Sequence, residues 1–193
     1  MTRVYFVRHA QPDHDWKEDR TRPLTEEGKK DSAIVLEFLK DKKIDAFYCS
    51  PYKRSVDTIA DAAAFFGKEI ITDERLRERE KGTDGNNHAM FQKRWSDHDY
   101  HEEGGESLAM VQERNIEALN EILSENIEKD IAIGTHGTAL STILNFYDSN
   151  FGCEDFLRII DWMPYIIELD FEGNELVGKQ EHCHVEKEFK ARR

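Results

Sequence analysis

The sequence is poor in cysteine, with three among its 193 residues. Cys49, Cys153 and Cys183 are odd in number, widely spaced and form no Cys-x-x-Cys pair. This pattern favours neither a disulfide framework nor a thiolate zinc site. A reducing compartment is the simplest setting for such a chain, so we expect a cytoplasmic protein.

Long apolar runs are also lacking. No segment approaches the roughly 20 apolar residues that a membrane-spanning helix needs. The first nine residues are too short, and too soon interrupted by charge, for a signal peptide. We therefore expect no membrane partner.

Basic residues are outnumbered, with 27 Lys and Arg against 40 Asp and Glu and a formal net charge of −13. Such a surface repels nucleic acid and anionic membranes, so neither is expected as a partner. It also repels phosphorylated molecules. Any phosphate site must therefore be a local concentration of arginine and histidine. The sequence does not predict the oligomeric state.

Strand-like and helix-like segments alternate along the chain, which predicts an α/β fold. We expect a three-layer α/β/α sandwich with a mostly parallel central sheet, and one domain over residues 1–193. Residues 73–106 form the least regular part, with a short amphipathic fragment around Met90, Phe91 and Trp95. The predicted strands are 4–7, 44–49, 69–72, 130–135 and a hairpin of 165–171 and 175–180, and the predicted helices are 26–40, 51–66, 107–127 and 138–147.

Three predicted strands end in side chains suited to anion chemistry. The first is followed by Arg8 and His9, the second leads to Arg54 one turn into the next helix, and the fourth is followed by His136 and Gly137. Ligands of open α/β sheets bind beyond the carboxyl ends of the strands. We therefore expect these side chains to meet at one edge of the sheet.

Together these groups suit the transfer of a phosphoryl group. Guanidinium groups bind phosphate oxygens bidentately, His136 can donate a further hydrogen bond, and the Gly137 amide opens a helix suited to anions. Neighbouring cations disfavour protonation of His9, which keeps its lone pair available as a nucleophile. A general acid must then protonate the leaving alkoxide.

Six motifs occur in an order and at a spacing that resemble the histidine phosphatase superfamily, the phosphoglycerate-mutase-like proteins. The resemblance extends over about residues 3–140. The motifs are Arg8-His9, Leu24-Thr25-x-x-Gly28, Ser50-Pro51-x-x-Arg54-Ser55, Leu76-Arg77-Glu78, Gly104-Gly105-Glu106-Ser107 and Thr135-His136-Gly137.

The resemblance implies a fold, an activity and roles for particular residues. It implies a phosphoglycerate-mutase-like fold and a phosphomonoester hydrolase with no cofactor or metal, acting on a small phosphorylated metabolite through phosphorylated His9. It also implies that Arg8, Arg54 and His136 form the phosphate pocket and that Glu78 donates and accepts the proton, with Glu80 as the alternative.

The chain departs from the family pattern near the nucleophile. Ala10 stands where a glycine usually follows the histidine. Asp15 stands where the family usually has an asparagine that contacts the phosphate. A carboxylate would repel phosphate, so that role is not assigned to Asp15.

A phosphoglycerate mutase-type phosphotransferase is the first alternative function. Mutases of this family carry a longer cationic insertion between the acid and the second histidine. The corresponding segment here is shorter, and Lys93 and Arg94 are accompanied by Asp97, Asp99 and Glu102. This balance favours a phosphatase.

Two further alternatives fit parts of the sequence. A metal-dependent hydrolase would use Asp13-His14-Asp15 or His182-Cys183-His184, although arginines beside the site would repel the cation. Strand alternation predicts that Cys183 faces away from His182 and His184. An inactive phosphate- or phosphopeptide-binding module would need only Arg8, Arg54 and His136.

Overall fold

The computed structural model describes residues 1–83 and 85–187. Its strands are β1 (Thr2–Arg8), β2 (Ala46–Cys49), β3 (Ile70–Thr72), β4 (Asp130–Thr135), β5 (Trp162–Glu172) and β6 (Glu175–Glu186). Its helices are α1 (Glu26–Asp31), α2 (Ala33–Leu39), α3 (Lys53–Phe65), α4 (His88–Ser96), α5 (Leu108–Glu125), α6 (Gly137–Tyr147) and α7 (Cys153–Ile159), and a 3-10 turn spans Glu74–Leu76.

The six strands form one sheet in the order β3-β2-β4-β1-β5-β6. The first four in that order run parallel, and β5 and β6 are antiparallel additions at the β1 side. The carboxyl ends of β1, β2 and β4 therefore lie at the same edge, as the sequence predicts. The expected domain over residues 1–193 includes positions that lie outside the described residues.

Helices cover both faces of the sheet, which confirms the predicted three-layer α/β/α sandwich. Val4 and Phe6 of β1 pack into the cluster formed with α5, α6 and α7. Tyr5 and Val7 point to the other face and pack with α2 and α3. Both faces of β1 are buried, which explains its uninterrupted apolar run. No helix among the described residues is long and apolar enough to cross a membrane.

Three elements differ from the sequence predictions. The first predicted helix is broken at Ser32, whose hydroxyl donates to the Lys29 carbonyl and competes with the regular helical ladder. Helix α7 was not predicted from the sequence. The hairpin strands β5 and β6 extend well beyond their predicted bounds, because the two pair with each other as far as Trp162 and Glu186.

Candidate active site

The structure brings the strand-end side chains predicted from the sequence together. Arg8 is the last residue of β1 and pairs in register with Thr135, the last residue of β4. His9 follows, and its amide donates to the Thr135 carbonyl at 3.1 Å. His136 comes next after β4, and its ring centroid lies 5.2 Å from that of His9. Parallel pairing of β1 with β4 therefore places the two imidazoles side by side.

His9 is buried, and its ring nitrogens differ in their surroundings. Nδ1 lies 2.8 Å from the Ala10 carbonyl oxygen. A carbonyl can only accept, so Nδ1 carries the proton of the neutral ring, and Nε2 keeps its lone pair. Burial, followed by the charges of Arg54 and Arg8, holds the pKa of His9 well below the ordinary imidazole value. The ring is thus a neutral base at physiological pH.

Two buried arginines flank this imidazole. The Arg8 guanidinium donates to the Ile159 carbonyl at 2.6 Å, and burial lowers its pKa to about 10, opposed by Glu78 and Asp161. Arg54 extends from the first turn of α3, donates to the Asp19 carbonyl at 2.7 Å and lies over the Tyr52 ring. Both groups stay cationic at neutral pH, so they supply the positive field that a phosphate needs.

His136 is completely buried behind His9. Its Nε2 lies 2.7 Å from the Ser50 hydroxyl, and its Nδ1 has no hydrogen-bond partner among the described residues. Burial, followed by the charges of Arg54 and neighbouring His9, lowers its pKa well below the ordinary value. The structure thus places His136 beside the nucleophile predicted from the sequence, as a second neutral imidazole.

Glu78 contacts the start of α6. Its carboxylate oxygens accept from the amides of Thr138 at 3.0 Å and Ala139 at 3.1 Å, and Oε1 also accepts from the Arg79 amide. These are amides of the first helical turn, which have no partners within the helix. Glu78 and the alternative acid Glu80 both line the cavity described below.

Gly137 allows Arg8 to pack closely against the first turn of α6. A Cβ atom at this position would lie 3.1 Å from the Arg8 Cζ, closer than an ordinary contact. Gly137 itself lines the cavity, while the next two amides of the helix are bound to Glu78. The anion that this helix start contacts in the structure is therefore a carboxylate.

A cavity of about 510 Å³ lies over these residues. Six lysine and arginine side chains line it, against three carboxylates, Asp19, Glu78 and Glu80. This local excess of positive charge is what a phosphate site needs in a protein with a formal net charge of −13. The lysine and arginine residues are Arg8, Lys17, Arg22, Arg54, Arg79 and Lys81.

Sequence reasoning missed several of the lining residues. Lys17 and Arg22 come from the loop after β1, which folds back through a bridge between Pro12 and Leu24. Arg79 and Lys81 follow Glu78, and no pattern in the sequence distinguishes them from surface charge. Asp15, where the family pattern is broken, is exposed, and its amide donates to Asp13.

The cavity also has an apolar wall. Phe91 of α4 lines it together with Phe156 of α7, and their rings contact each other edge to face. Ile160 and Met163 complete this wall. Trp95 packs behind Phe156 as part of the hydrophobic core.

The two clusters considered for metal binding are arranged differently from a metal site. Among residues 1–83 and 85–187, no three histidine, cysteine, aspartate or glutamate side chains come together to hold a metal ion. His182 lies 2.7 Å from Glu168, and His184 stacks on Trp162. The predicted alternation is wrong for His182. Because β6 is irregular near this residue, His182 and Cys183 both pack toward the cluster containing Tyr5.

A pH dependence of stability follows from the buried imidazoles. Below about pH 6.5 the unfolded chain binds a proton at His9 that the native protein does not, so stability falls as pH falls through this range. Each buried histidine of this kind adds up to about 1.4 kcal/mol per pH unit to the decrease in the free energy of unfolding. Urea unfolding of wild type and His9→Asn at pH 7 and pH 5.5 should show the shallower dependence in the variant. If the free energy of unfolding changes equally with pH in both proteins, His9 is protonated in the native protein as readily as in the unfolded chain.

The fold and the site together are those of an α/β enzyme that acts on phosphate esters. Comparison with known proteins gives the family. Residues 4–174 match the Histidine phosphatase superfamily (branch 1). The chain belongs to this superfamily and is a phosphoric monoester hydrolase, as the sequence motifs predicted.

Individual relatives agree with this assignment. The chain is 28% identical over 207 residues to Putative phosphoserine phosphatase 2 of Hydrogenobacter thermophilus, covering 96% of this chain and 98% of the relative. It is 25% identical over 150 residues to Phosphoserine phosphatase 1 of the same organism, covering 70% and 71%.

Solved structures show the same fold. Bacillus stearothermophilus YhfR superposes with a TM-score of 0.75 at 23% identity, covering 92% of this chain and 95% of that one. Phosphoserine phosphatase from Entamoeba histolytica, in complex with 3-phosphoglyceric acid, gives a TM-score of 0.75 at 20% identity, covering 99% of both chains. At these identities the likeness concerns the fold alone.

Proposed function

We propose that the chain hydrolyses phosphomonoesters of small metabolites in the cytoplasm, with His9 as the nucleophile and residues 1–193 as one catalytic domain. The observation that carries the proposal is the neutral imidazole of His9, with its Nε2 lone pair available between two buried guanidinium groups. Cys49, Cys153 and Cys183 are all unpaired, which supports a reducing compartment.

The first chemical step forms a phosphoenzyme. Arg8 and Arg54 bind the phosphoryl oxygens, and Nε2 of His9 attacks phosphorus in line with the leaving oxygen. The N–P bond forms as the P–O bond to the leaving group breaks. Glu78, which takes up a proton from solvent before this step, gives that proton to the departing alkoxide, which leaves as an alcohol. Charge developing on the phosphoryl oxygens is stabilised by the guanidinium groups.

The second step returns the enzyme to its starting state. Glu78, now a carboxylate, takes a proton from water, whose oxygen attacks phosphorus as the N–P bond breaks. Inorganic phosphate leaves, Nε2 regains its lone pair, and Glu78 is protonated again. Arg8 and Arg54 contribute to both steps because the same oxygens carry the charge.

Hydrolysis is favoured over mutase chemistry by the source of the cavity residues. The segment between Glu78 and His136 carries the cationic insertion in mutases. Here it supplies Arg79 and Lys81 directly after Glu78, and beyond them it contributes the uncharged Asn86 and Phe91 to the wall. Lys93 instead lies over the Tyr100 ring, 3.9 Å from its centroid. A cavity of this size suits a small metabolite. Phosphoserine is the first substrate to test because two relatives are named as phosphoserine phosphatases.

A panel of phosphoesters tests this proposal against the two remaining alternatives. Purified protein should release phosphate from p-nitrophenyl phosphate and from at least one phosphorylated metabolite, equally well with and without EDTA. Loss of activity on chelation that is restored by added metal would favour a metal-dependent hydrolase. Binding of phosphoesters without turnover on any of them would favour a binding module.

A further inference from the structure

The motif Gly104-Gly105-Glu106-Ser107 has no part in the steps above, yet Glu106 lies at the centre of a dense hydrogen-bond network. One carboxylate oxygen accepts from Arg114 Nε at 2.9 Å and from Arg77 Nη2 at 2.7 Å. The other accepts from Arg114 Nη2 at 2.8 Å and from the Glu80 amide at 2.8 Å. Although burial raises the pKa of Glu106, the hydrogen bonds from Arg114 and the Glu80 amide outweigh it, and the net shift is downward. Each oxygen of the Glu106 carboxylate therefore accepts two hydrogen bonds.

Arg114 of α5 connects this carboxylate to the chain around Glu78. Its Nη1 donates to the carbonyls of Arg75 and Arg77, both at 2.7 Å, and its Nη2 donates to the Glu78 carbonyl at 3.1 Å. With the two bonds to Glu106, five acceptor contacts match the five N–H donors of a guanidinium. A lysine has three donors on a single nitrogen and cannot reproduce this arrangement.

Backbone contacts fix the segment after Glu78. The Glu106 amide donates to the Glu80 carbonyl at 3.0 Å. A Cβ atom on Gly105 would lie 2.7 Å from the Gly82 nitrogen, so only glycine allows the two segments to approach this closely. Gly104 has a φ of 75°, a conformation that favours glycine. The two glycines thus deliver Glu106 to its place beside residues 78–80.

These contacts matter because Glu78 lies in an irregular segment. It follows the 3-10 turn Glu74–Leu76, and residues 79–83 after it form neither helix nor strand. Neither helical nor sheet hydrogen bonds fix its backbone. Arg114 and Glu106 instead bind the chain on both sides of it, at the carbonyls of Arg75, Arg77 and Glu78 and at the Glu80 amide. From there its carboxylate reaches the first turn of α6.

We propose that Glu106 and Arg114 act together as positioning residues that hold Glu78 in reach of the leaving-group oxygen. This inference rests on the proposed function, in which Glu78 is the general acid. Neither side chain lines the cavity, so the pair acts on the leaving group through the placement of Glu78. Its loss should therefore impair protonation of a poor leaving group far more than it impairs binding.

The test compares two substrates in Arg114→Lys and Glu106→Gln. On phosphoserine, which needs a proton for its alkoxide, kcat/KM should fall by about 10- to 100-fold, since small misplacement of a catalytic group has effects of this order. On p-nitrophenyl phosphate, whose phenolate leaves readily, the loss in kcat/KM should stay below about threefold. A purely structural role would lower both rates alike, in proportion to the folded fraction measured by circular dichroism.

A double-mutant cycle decides whether the pair acts through Glu78. In the Glu78→Gln background, Arg114→Lys should cause no further loss on phosphoserine, because the group that it positions is already gone. A further loss as large as in wild type would overturn the inference. If Arg114→Lys does not fold, Glu106→Gln takes its place in the cycle and tests the inference in the same way.

Arg75→Gln is the matched control. Arg75 lies on the 3-10 turn that precedes Glu78 and pairs with Asp73 and with Glu117 and Glu121 of α5, but its side chain has no hydrogen bond or ion pair with Glu78 or Glu106 among the described residues. Its two rates should both stay near wild type, and a leaving-group effect like that of Arg114→Lys would overturn the inference. Absence of hydrolysis by the wild-type protein would instead defeat the proposed function.

Discussion

His9→Ala is expected to abolish turnover while leaving the fold intact. Without Nε2 there is no nucleophile, and what remains is the cavity with Arg8 and Arg54. Loss of a nucleophile from such a site lowers the rate by at least about 10⁴-fold. The fold should survive, because the one hydrogen bond of the ring goes to the Ala10 carbonyl of its own chain segment. Phosphate release and circular dichroism, measured together, check both parts.

The covalent intermediate provides an independent check on His9. Wild-type protein quenched during steady turnover and kept alkaline, to protect the labile N–P bond, should carry a phosphoryl group at this position by mass spectrometry. The folded His9→Ala variant serves as the control for non-specific labelling, because it lacks the ring nitrogen that carries the phosphoryl group and should show no adduct. Rates near wild type in a folded His9→Ala protein, or an adduct on another residue, would contradict this nucleophile.

Glu78→Gln is expected to slow hydrolysis of an alkyl phosphate by about 10²- to 10⁴-fold, the usual contribution of a general acid. Glutamine keeps the length of the side chain and one acceptor for the amides of Thr138 and Ala139 but cannot deliver the proton. Hydrolysis of p-nitrophenyl phosphate should fall much less, because its leaving phenolate is already stable. The measurement is steady-state kcat/KM on the two substrates, which reports phosphoryl transfer to His9 and excludes hydrolysis of the phosphohistidine, a step in which Glu78 acts as base whichever ester was bound.

Glu80→Gln separates the two candidate acids. Glu80 also lines the cavity, but its backbone amide is held by Glu106, and its side chain is exposed. We expect a smaller loss than for Glu78→Gln on the alkyl phosphate. Equal losses of Glu78→Gln on both substrates, or a larger leaving-group effect in Glu80→Gln, would remove Glu78 from the acid role.

The strand-end residues could be predicted from the sequence because local pattern and topology determine them. An apolar run ending in Arg8 and His9, and another ending in His136, must meet if the two strands are parallel neighbours. The proton donor was harder to predict from the sequence. Glu78 stands in a charged run that is typical of a solvated surface, and its position depends on α5 and α6, which are distant in sequence.

The cations of the loop after β1 could not be predicted for a related reason. Lys17 and Arg22 belong to a polar stretch without helical or strand periodicity. Their place is set by the bridge between Pro12 and Leu24 and by the bonds of Asp19 to Arg22 and Arg54. The break at Ser32 was not predicted because the residues around it have helical spacing, and a single side-chain hydrogen bond interrupts the helix.

The origin of the cavity residues has an evolutionary consequence. The nucleophile His9 and the arginines Arg8 and Arg54, which bind the phosphoryl group, come from the end of β1 and from α3, two elements of the layered sandwich. Lys17 and Lys81, by contrast, stand on connecting segments at the rim. Connections diverge faster than the layers that they join. Related chains can thus acquire a different substrate specificity through changes in these loops, while the catalytic reaction stays the same.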